Sequence, residues 1–74
     1  MEDYKVMIGE VRREWENPDP MMLCWLDCHQ VGTKFRDDYD GYSVYEYRLD
    51  DGRKVWETYN IQEGKTILVA IEEV

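Results

Sequence analysis

The sequence contains few of the residues from which disulfides and metal sites are built. Its 74 residues include two cysteines, Cys24 and Cys28, and one histidine, His29. Two cysteines are too few for the disulfide framework of a small secreted domain. In a strand they would lie about 13 Å apart, which is too far to bridge. We therefore expect reduced thiols, as in a cytoplasmic protein.

The same residues supply too few ligands for zinc, which prefers four nitrogen or sulfur ligands in a tetrahedron. Cys24, Cys28 and His29 lie within six residues of one another, and three ligands on one short element cannot surround an ion. The sequence does not support a calcium site either. Aligning Gly41 with the glycine of an EF-hand loop places Arg36 and Tyr47 at positions where carboxylate ligands are required. We expect no metal and no cofactor. An oligomer that shares a metal through Cys24, Cys28 and His29 stays open as an alternative.

Catalytic and membrane-spanning patterns are also missing. There is no glycine-rich phosphate loop and no nucleophile elbow, and Cys28 and His29 are adjacent, so a strand would point them to opposite sides. The longest apolar run, Met21 to Leu26, is far too short to cross a bilayer. The first residues, Met1 to Tyr4, are acidic and unlike a signal peptide. These features predict a protein that is not an enzyme and has no membrane contact.

Basic residues are scarce relative to acidic ones. The sequence has 17 Asp and Glu residues and nine Lys and Arg residues, which gives a net charge of −8. Such a charge repels phosphate backbones and attracts basic partners. Aromatic residues are abundant, with six Tyr and three Trp. The apolar fraction of 43% is typical of a folded domain. Tyr and Trp suit surfaces that are half apolar and half wet.

The chain divides into short segments. Residues 3–15 predict one long strand, bent at Gly9, and Asn17 to Pro20 breaks it. Residues 20–30 fit a helix with Asp19 as N-cap and Pro20 in its first turn. They also fit a buried strand that returns along the first one, which we favour. Further on, residues 31–36 predict a turn and a short strand, residues 37–41 a polar loop, and residues 66–71 a central strand.

The strongest local pattern is a hairpin between Tyr42 and Ile61, around Asp50-Asp51-Gly52. A two-residue turn at Asp51-Gly52 places Tyr47 opposite Trp56, Val44 opposite Tyr59 and Tyr42 opposite Ile61. Its cost is that Glu46 faces Glu57. A three-residue loop places Arg48 opposite Lys54 instead. We favour the two-residue turn, because three aromatic or β-branched pairs outweigh one like-charge pair.

Together these segments predict a mainly β single domain over residues 1–74. We expect a small antiparallel five-stranded barrel or curled sheet, of SH3-like or OB-like size. A short helix at about residues 20–30 stays open. Only one face of the hairpin can enter so small a core unless another element covers the second face, so an exposed aromatic face is expected.

We interpret the chain as a small acidic protein-binding module that docks a basic surface of another protein. In size and charge it resembles small acidic proteins of phages and mobile elements that act as inhibitors by occupying a partner's nucleic-acid site. The residues expected at the contact are Asp37, Asp38, Tyr39, Asp40, Tyr42, Asp50, Asp51 and Trp56. The alternative is a small barrel that reads a nucleic acid or a peptide through an aromatic groove.

Overall fold

The computed structural model describes residues 12–73, which form one helix and five strands. The elements are β1 (Arg12–Glu16), α1 (Pro20–His29), β2 (Gln30–Tyr39), β3 (Tyr42–Leu49), β4 (Lys54–Asn60) and β5 (Lys65–Glu72). Strand β1 covers residues 12–15 of the long first strand expected over residues 3–15, and the remainder of that expectation lies outside the described residues. The bend expected at Gly9 lies outside the described residues.

The five strands form one antiparallel sheet in the order β1-β5-β4-β3-β2. Strands β2 to β5 follow one another as a meander, and β1 adds to the far side of β5. Among the described strands β1 and β2 do not pair, so the sheet is open and does not close into a barrel. The expected mainly β fold of five antiparallel strands with a short helix is confirmed in its open, sheet form.

Helix α1 occupies the segment that we expected to be a strand, so that preference is wrong. The Oδ1 atom of Asp19 accepts a hydrogen bond from the backbone N–H of Met22 at 2.9 Å, and Pro20 opens the first turn. These are the N-cap and first-turn signals of a helix. The strand interpretation assumed that β1 needs this segment as its partner. Strand β1 pairs with β5 instead, with Trp15 opposite Val69.

Helix α1 covers one face of the sheet, which we call the inner face. Leu26 is fully buried at 0% exposure and packs against inner-face side chains of three central strands. The buried core consists of Leu26, Tyr47, Leu49, Val55, Val69 and Ile71, with Trp15, Met22 and Leu23 packed at its border. The opposite side of the sheet is the outer face, and no described helix lies on it.

The hairpin adopts the three-residue loop, so the favoured two-residue turn is wrong. The N–H of Leu49 donates to the carbonyl of Arg53 at 2.9 Å, which closes a loop over residues 50–52. Gly52 has φ of 92°, the left-handed conformation that ends this type of loop. Arg48 therefore faces Lys54, Tyr47 faces Val55 and Glu46 faces Trp56.

Side-chain partners explain why this register is the better one. Glu46 and Glu57 no longer face each other across the strands. Glu46 accepts a hydrogen bond from the indole N–H of Trp56 on the outer face. Glu57 turns to the inner face, where the Tyr47 hydroxyl donates to it. The slip by one residue brings Trp56 to the same face as Tyr42 and Val44.

Strand β2 replaces most of the polar loop expected over residues 37–41. It continues to Tyr39, and Asp40-Gly41 alone forms the turn to β3. Cross-strand partners hold the acidic residues in the ladder: Asp38 lies opposite Ser43, whose hydroxyl donates to it at 2.7 Å. A bulge shifts the register between Val31 and Phe35.

Candidate functional site

The outer face of the sheet carries a group of apolar and aromatic side chains that no described helix covers. We call this group the outer patch. It comprises Phe35 and Tyr39 on β2, Tyr42 and Val44 on β3, Trp56 on β4 and Leu68 on β5, all placed on one face by the strand register. Phe35, Tyr39 and Tyr42 are 63%, 60% and 42% exposed. Clustered exposed rings of this kind mark interaction surfaces more often than isolated ones do.

Trp56 is the most firmly positioned member of the outer patch. Its indole N–H donates to Oε1 of Glu46 at 3.0 Å. The Arg12 guanidinium lies 4.1 Å from the ring centroid, and the Lys54 ammonium lies 5.7 Å from it. These contacts fix the ring before any partner arrives, which lowers the entropic cost of binding. The Arg12 guanidinium also occupies a ring face onto which a base would otherwise stack.

Carboxylates border the outer patch at the end where β2 turns into β3. Asp37 lies on the outer face between Phe35 and Tyr39, and Asp40 lies in the turn. Across the sheet, Glu14 and Glu16 of β1 take the same face opposite Ala70 and Leu68. Asp37 and Asp40 therefore place negative charge next to the exposed rings at this end, and Glu14 and Glu16 place it along the opposite, β1 edge of the same face.

A groove of about 450 Å³ adjoins the outer patch at the β2 bulge. Its walls include Val31, Phe35, Glu46, Arg48 and Lys54. The bulge creates this space, because two extra residues of β2 leave the ladder between Val31 and Phe35. The groove adds a concave feature to an otherwise flat sheet surface.

The eight residues expected at the contact do not all come together. The structure places Asp37, Tyr39, Tyr42 and Trp56 on the outer face and Asp40 at its border. Asp38 points to the inner side, where it accepts hydrogen bonds from Nε of Arg36 at 2.8 Å and from Ser43. These hydrogen bonds, that of Arg36 first, lower the pKa of Asp38.

Asp50 and Asp51 lie at the opposite end of the sheet, about 25 Å from Tyr42 along β3. Both are held locally. Asp50 bonds Nδ1 of His29 at 2.8 Å. Asp51 accepts the backbone N–H of Arg53 at 3.0 Å, which lowers its pKa, and the Arg53 side chain adds a second bond. These two carboxylates cannot act on the same contact as the outer patch.

Three members of the outer patch, Phe35, Val44 and Leu68, were absent from the expected contact. The signal for Phe35 was present in the sequence as alternation with Asp37 and Tyr39. The expectation of a loop over residues 37–41 concealed it. Val44 and Leu68 become outer-face residues only once the register is known, because alternation alone does not say which face is covered.

The cysteines and the histidine lie on α1, away from the outer patch. Cys24 and Cys28 are exposed and one helical turn apart, and negative charge on Cys24 is the main cause of a raised pKa for Cys28. The His29 ring lies 4.5 Å from that of Trp25, and its Nδ1 is bonded to Asp50. Within residues 12–73, no group of three or more His, Cys, Asp or Glu side chains has an arrangement that could hold a metal ion.

Comparison with known protein families, with curated proteins and with solved structures finds no match for this chain. No helix in the described part of the chain is long and apolar enough to cross a membrane. The outer patch therefore has to be interpreted from its own geometry.

Proposed function

We propose that this chain is a non-enzymatic protein-binding module whose outer patch docks a basic surface of another protein. The observation that carries the proposal is the open outer face: the exposed rings of Phe35, Tyr39 and Tyr42 share this face with a fixed Trp56, and carboxylates lie beside them. A rigid aromatic anchor within a polar border is the arrangement in which binding energy concentrates at protein interfaces.

The charge of the chain defines the chemistry of the partner. The net charge of −8 accelerates association with basic surfaces and opposes association with phosphate backbones. The local pattern points the same way, because Asp37 and Asp40 lie beside the exposed Tyr39 and Tyr42 rings. A partner with apolar residues flanked by Lys or Arg would match this end of the sheet.

The finer form of the proposal is inhibition. A basic surface that normally binds nucleic acid would be occupied by carboxylates in place of phosphates. Asp37, Asp40, Glu14 and Glu16 are the carboxylates available on or beside the outer face. Asp38, Asp50 and Asp51 are directed elsewhere and have no part in this version.

A peptide selection followed by NMR tests the proposal. The folded chain is used to select binders from a random peptide library, and the affinities of the selected peptides are measured at two salt concentrations. We expect peptides that combine Lys or Arg with apolar residues and bind more weakly at high salt. The three tryptophan indole signals then locate the contact: Trp56 should shift, whereas Trp25 on the helix should not.

Matched variants complete the test. Tyr42→Ala should weaken the selected peptides about tenfold or more, as expected for an aromatic anchor. Trp25→Ala, which removes an exposed ring from α1, should leave their affinity unchanged. Selection of acidic peptides, or shifts confined to Trp25, would contradict the proposal. Steeply salt-dependent binding of single-stranded nucleic acid to the outer patch would support the nucleic-acid reader instead.

A further inference from the structure

Strand β2 is an edge of the sheet along its entire length. It pairs with β3 on one side, and no described strand pairs with its other side. Every residue from Val31 to Tyr39 is exposed. An edge of this length presents a row of backbone donors and acceptors to which another strand can add.

The turn at Asp40-Gly41 determines which backbone groups point outward. In a hairpin closed by a two-residue turn, the residues next to the turn form a hydrogen-bonded pair, and such pairs recur at every second position. Tyr39, Asp37 and Phe35 therefore direct their N–H and C=O groups toward β3. Arg36 and Asp38 direct theirs to the open edge.

The side chains along this edge are ordered by charge. Lys34 and Arg36 come first, and Asp37, Asp38 and Asp40 follow. An antiparallel copy of the same strand reverses that order, so its acidic half meets the basic half of the original. Isolated edge charges usually prevent strand addition, but this order makes the edge complementary to itself.

We propose that a second copy of this chain pairs with β2 across a two-fold axis at Asp37, forming a continuous ten-stranded sheet. In this register Arg36 faces Asp38 of the second copy, and Lys34 approaches Asp40 of the second copy. Phe35 faces Tyr39 of the second copy on the outer face. Each of these contacts occurs twice, and Asp37 facing its own equivalent is the one unfavourable pair.

Neighbouring registers offer less complementarity. Centring the axis on Arg36 would pair Lys34 with Asp38, but it would place Arg36 against itself and Phe35 against Asp37. Centring it on Asp38 would pair Arg36 with Asp40, but it would place Asp38 against itself and Asp37 against Tyr39. Centring it on Phe35 would place Lys34 against Arg36. Each gives fewer opposite-charge or aromatic pairs than the axis at Asp37 gives, and a symmetric antiparallel pair must have one residue on its axis.

The existing contacts of Arg36 and Asp38 permit the exchange of partners, whereas Lys34 would also have to leave Asp27, whose Oδ1 lies 3.6 Å from its ammonium. Arg36 already bonds Asp38 of its own chain at 2.8 Å, and both side chains are exposed to solvent. An exposed ion pair contributes little stability, so replacing it with the equivalent pair between copies loses little. The dimer would also join two outer patches through Phe35 and Tyr39. The proposal does not depend on the protein-binding function.

Charge reversal with complementation is the decisive experiment. Arg36→Asp and Asp38→Arg are each analysed by sedimentation equilibrium over a concentration series, alone and mixed. Each variant alone places like charges opposite each other twice, so its dimerisation should weaken about tenfold or more. The mixture restores both opposite-charge pairs, so a one-to-one heterodimer should form with at least the affinity of the unmodified chain.

Two controls carry the same charge changes at a distance from β2. Lys65→Asp and Glu63→Arg lie at the turn between β4 and β5, where their side chains pair with each other. They should alter dimerisation less than the β2 variants do, and circular dichroism should show that all variants are folded. If a β2 reversal unfolds the chain, Asp37→Lys mixed with the unmodified chain provides a second test. That mixture should prefer the heterodimer, in which Lys faces Asp.

Three results would overturn the proposal. The first is a chain that stays monomeric at every concentration. This result would overturn the proposal also if the monomer bound an extended peptide of another protein along β2. The second is a dimer that is indifferent to both reversals, since it would use another surface. The third is a pair of folded single variants whose mixture does not restore association.

Discussion

Tyr47 and Glu57 form a buried polar pair within the apolar layer beneath α1. The Tyr47 hydroxyl donates to the Glu57 carboxylate, and Glu57 is only 9% exposed. The ammonium of Lys34 lies 4.9 Å from the Tyr47 ring centroid, so a cation borders the pair. A buried carboxylate is tolerated only where donors satisfy it, and here one hydroxyl meets that need.

Removing this hydroxyl should destabilise the domain. Tyr47→Phe leaves the Glu57 carboxylate without its donor, at an expected cost of about 1–3 kcal/mol in unfolding free energy. Tyr45→Phe is the matched control on the same strand and face, and it should change stability little. Urea denaturation measures both. Equal effects of the two substitutions would show that the Tyr47 hydroxyl has no special role.

The same pair predicts a dependence on alkaline pH. Burial, followed by the hydrogen bond to Glu57, raises the pKa of Tyr47 above that of a free tyrosine. The folded state therefore retains a proton that the unfolded chain loses above about pH 10, so the stabilisation is complete below that pH and lost as pH rises further. Between about pH 9 and 11, stability should fall more steeply in the unmodified chain than in Tyr47→Phe.

At the scale of elements, the loop between β3 and β4 determines what the outer face presents. Gly52 adopts φ of 92° with open space around it, so a substitution there meets strain of the backbone and not a clash. Gly52→Ala should cost about 1–2 kcal/mol, and Gly52→Asn should cost less because asparagine tolerates this conformation. Thermal unfolding compares the two. Equal losses would mean that the left-handed conformation of residue 52 is not the source of the cost.

The hairpin shows where prediction from sequence succeeded and where it stopped. Two β-rich runs around Asp51-Gly52 were sufficient to predict both strands. The register depended on whether Asp50 belongs to the strand or to the loop, and counting cross-strand pairs gave the wrong answer. That count omitted Tyr47 as a partner for Glu57, and Trp56 as a donor to Glu46. Both partners depend on which face α1 covers.

Helix α1 shows the opposite case, in which the local signals were sufficient and a topological argument overruled them. Asp19 and Pro20 mark the start of a helix in the sequence itself. The preference for a strand assumed that consecutive strands pair, which is common but not general. The partner of β1 lies in β5, more than fifty residues further along the chain, and no local pattern carries that information.

For the candidate site, the sequence predicted some of the residues on the outer face but not which of the acidic residues lie near them. Tyr39, Tyr42 and Trp56 were expected from composition and lie on the outer face, together with Asp37. Asp50 and Asp51 were grouped with them because acidic turns look alike in a sequence. Only the path of β3 shows that these two carboxylates lie at the far end of the sheet.

At the scale of the whole molecule, stability depends on one layer of contacts between α1 and the sheet. Leu26 is the one fully buried residue of the helix. Leu26→Ala should cost about 2–5 kcal/mol, a large part of the stability that so small a domain possesses. Met21→Ala, at a helix position that is 82% exposed, is the control and should have little effect. Urea denaturation measures both variants. Equal losses of unfolding free energy for Leu26→Ala and Met21→Ala would show that Leu26 is not a central residue of the core.

The position of β1 beside β5 has a consequence for the order of assembly. Strands β2 to β5 are joined by short turns, so each ladder can form soon after its strands are synthesised. Trp15, in contrast, lies opposite Val69, and this pairing closes a loop that contains the helix and the whole meander. The pairing of β1 with β5 alone must offset the entropic cost of closing that loop. During synthesis, β1 must remain unpaired with β5 until β5 has left the ribosome.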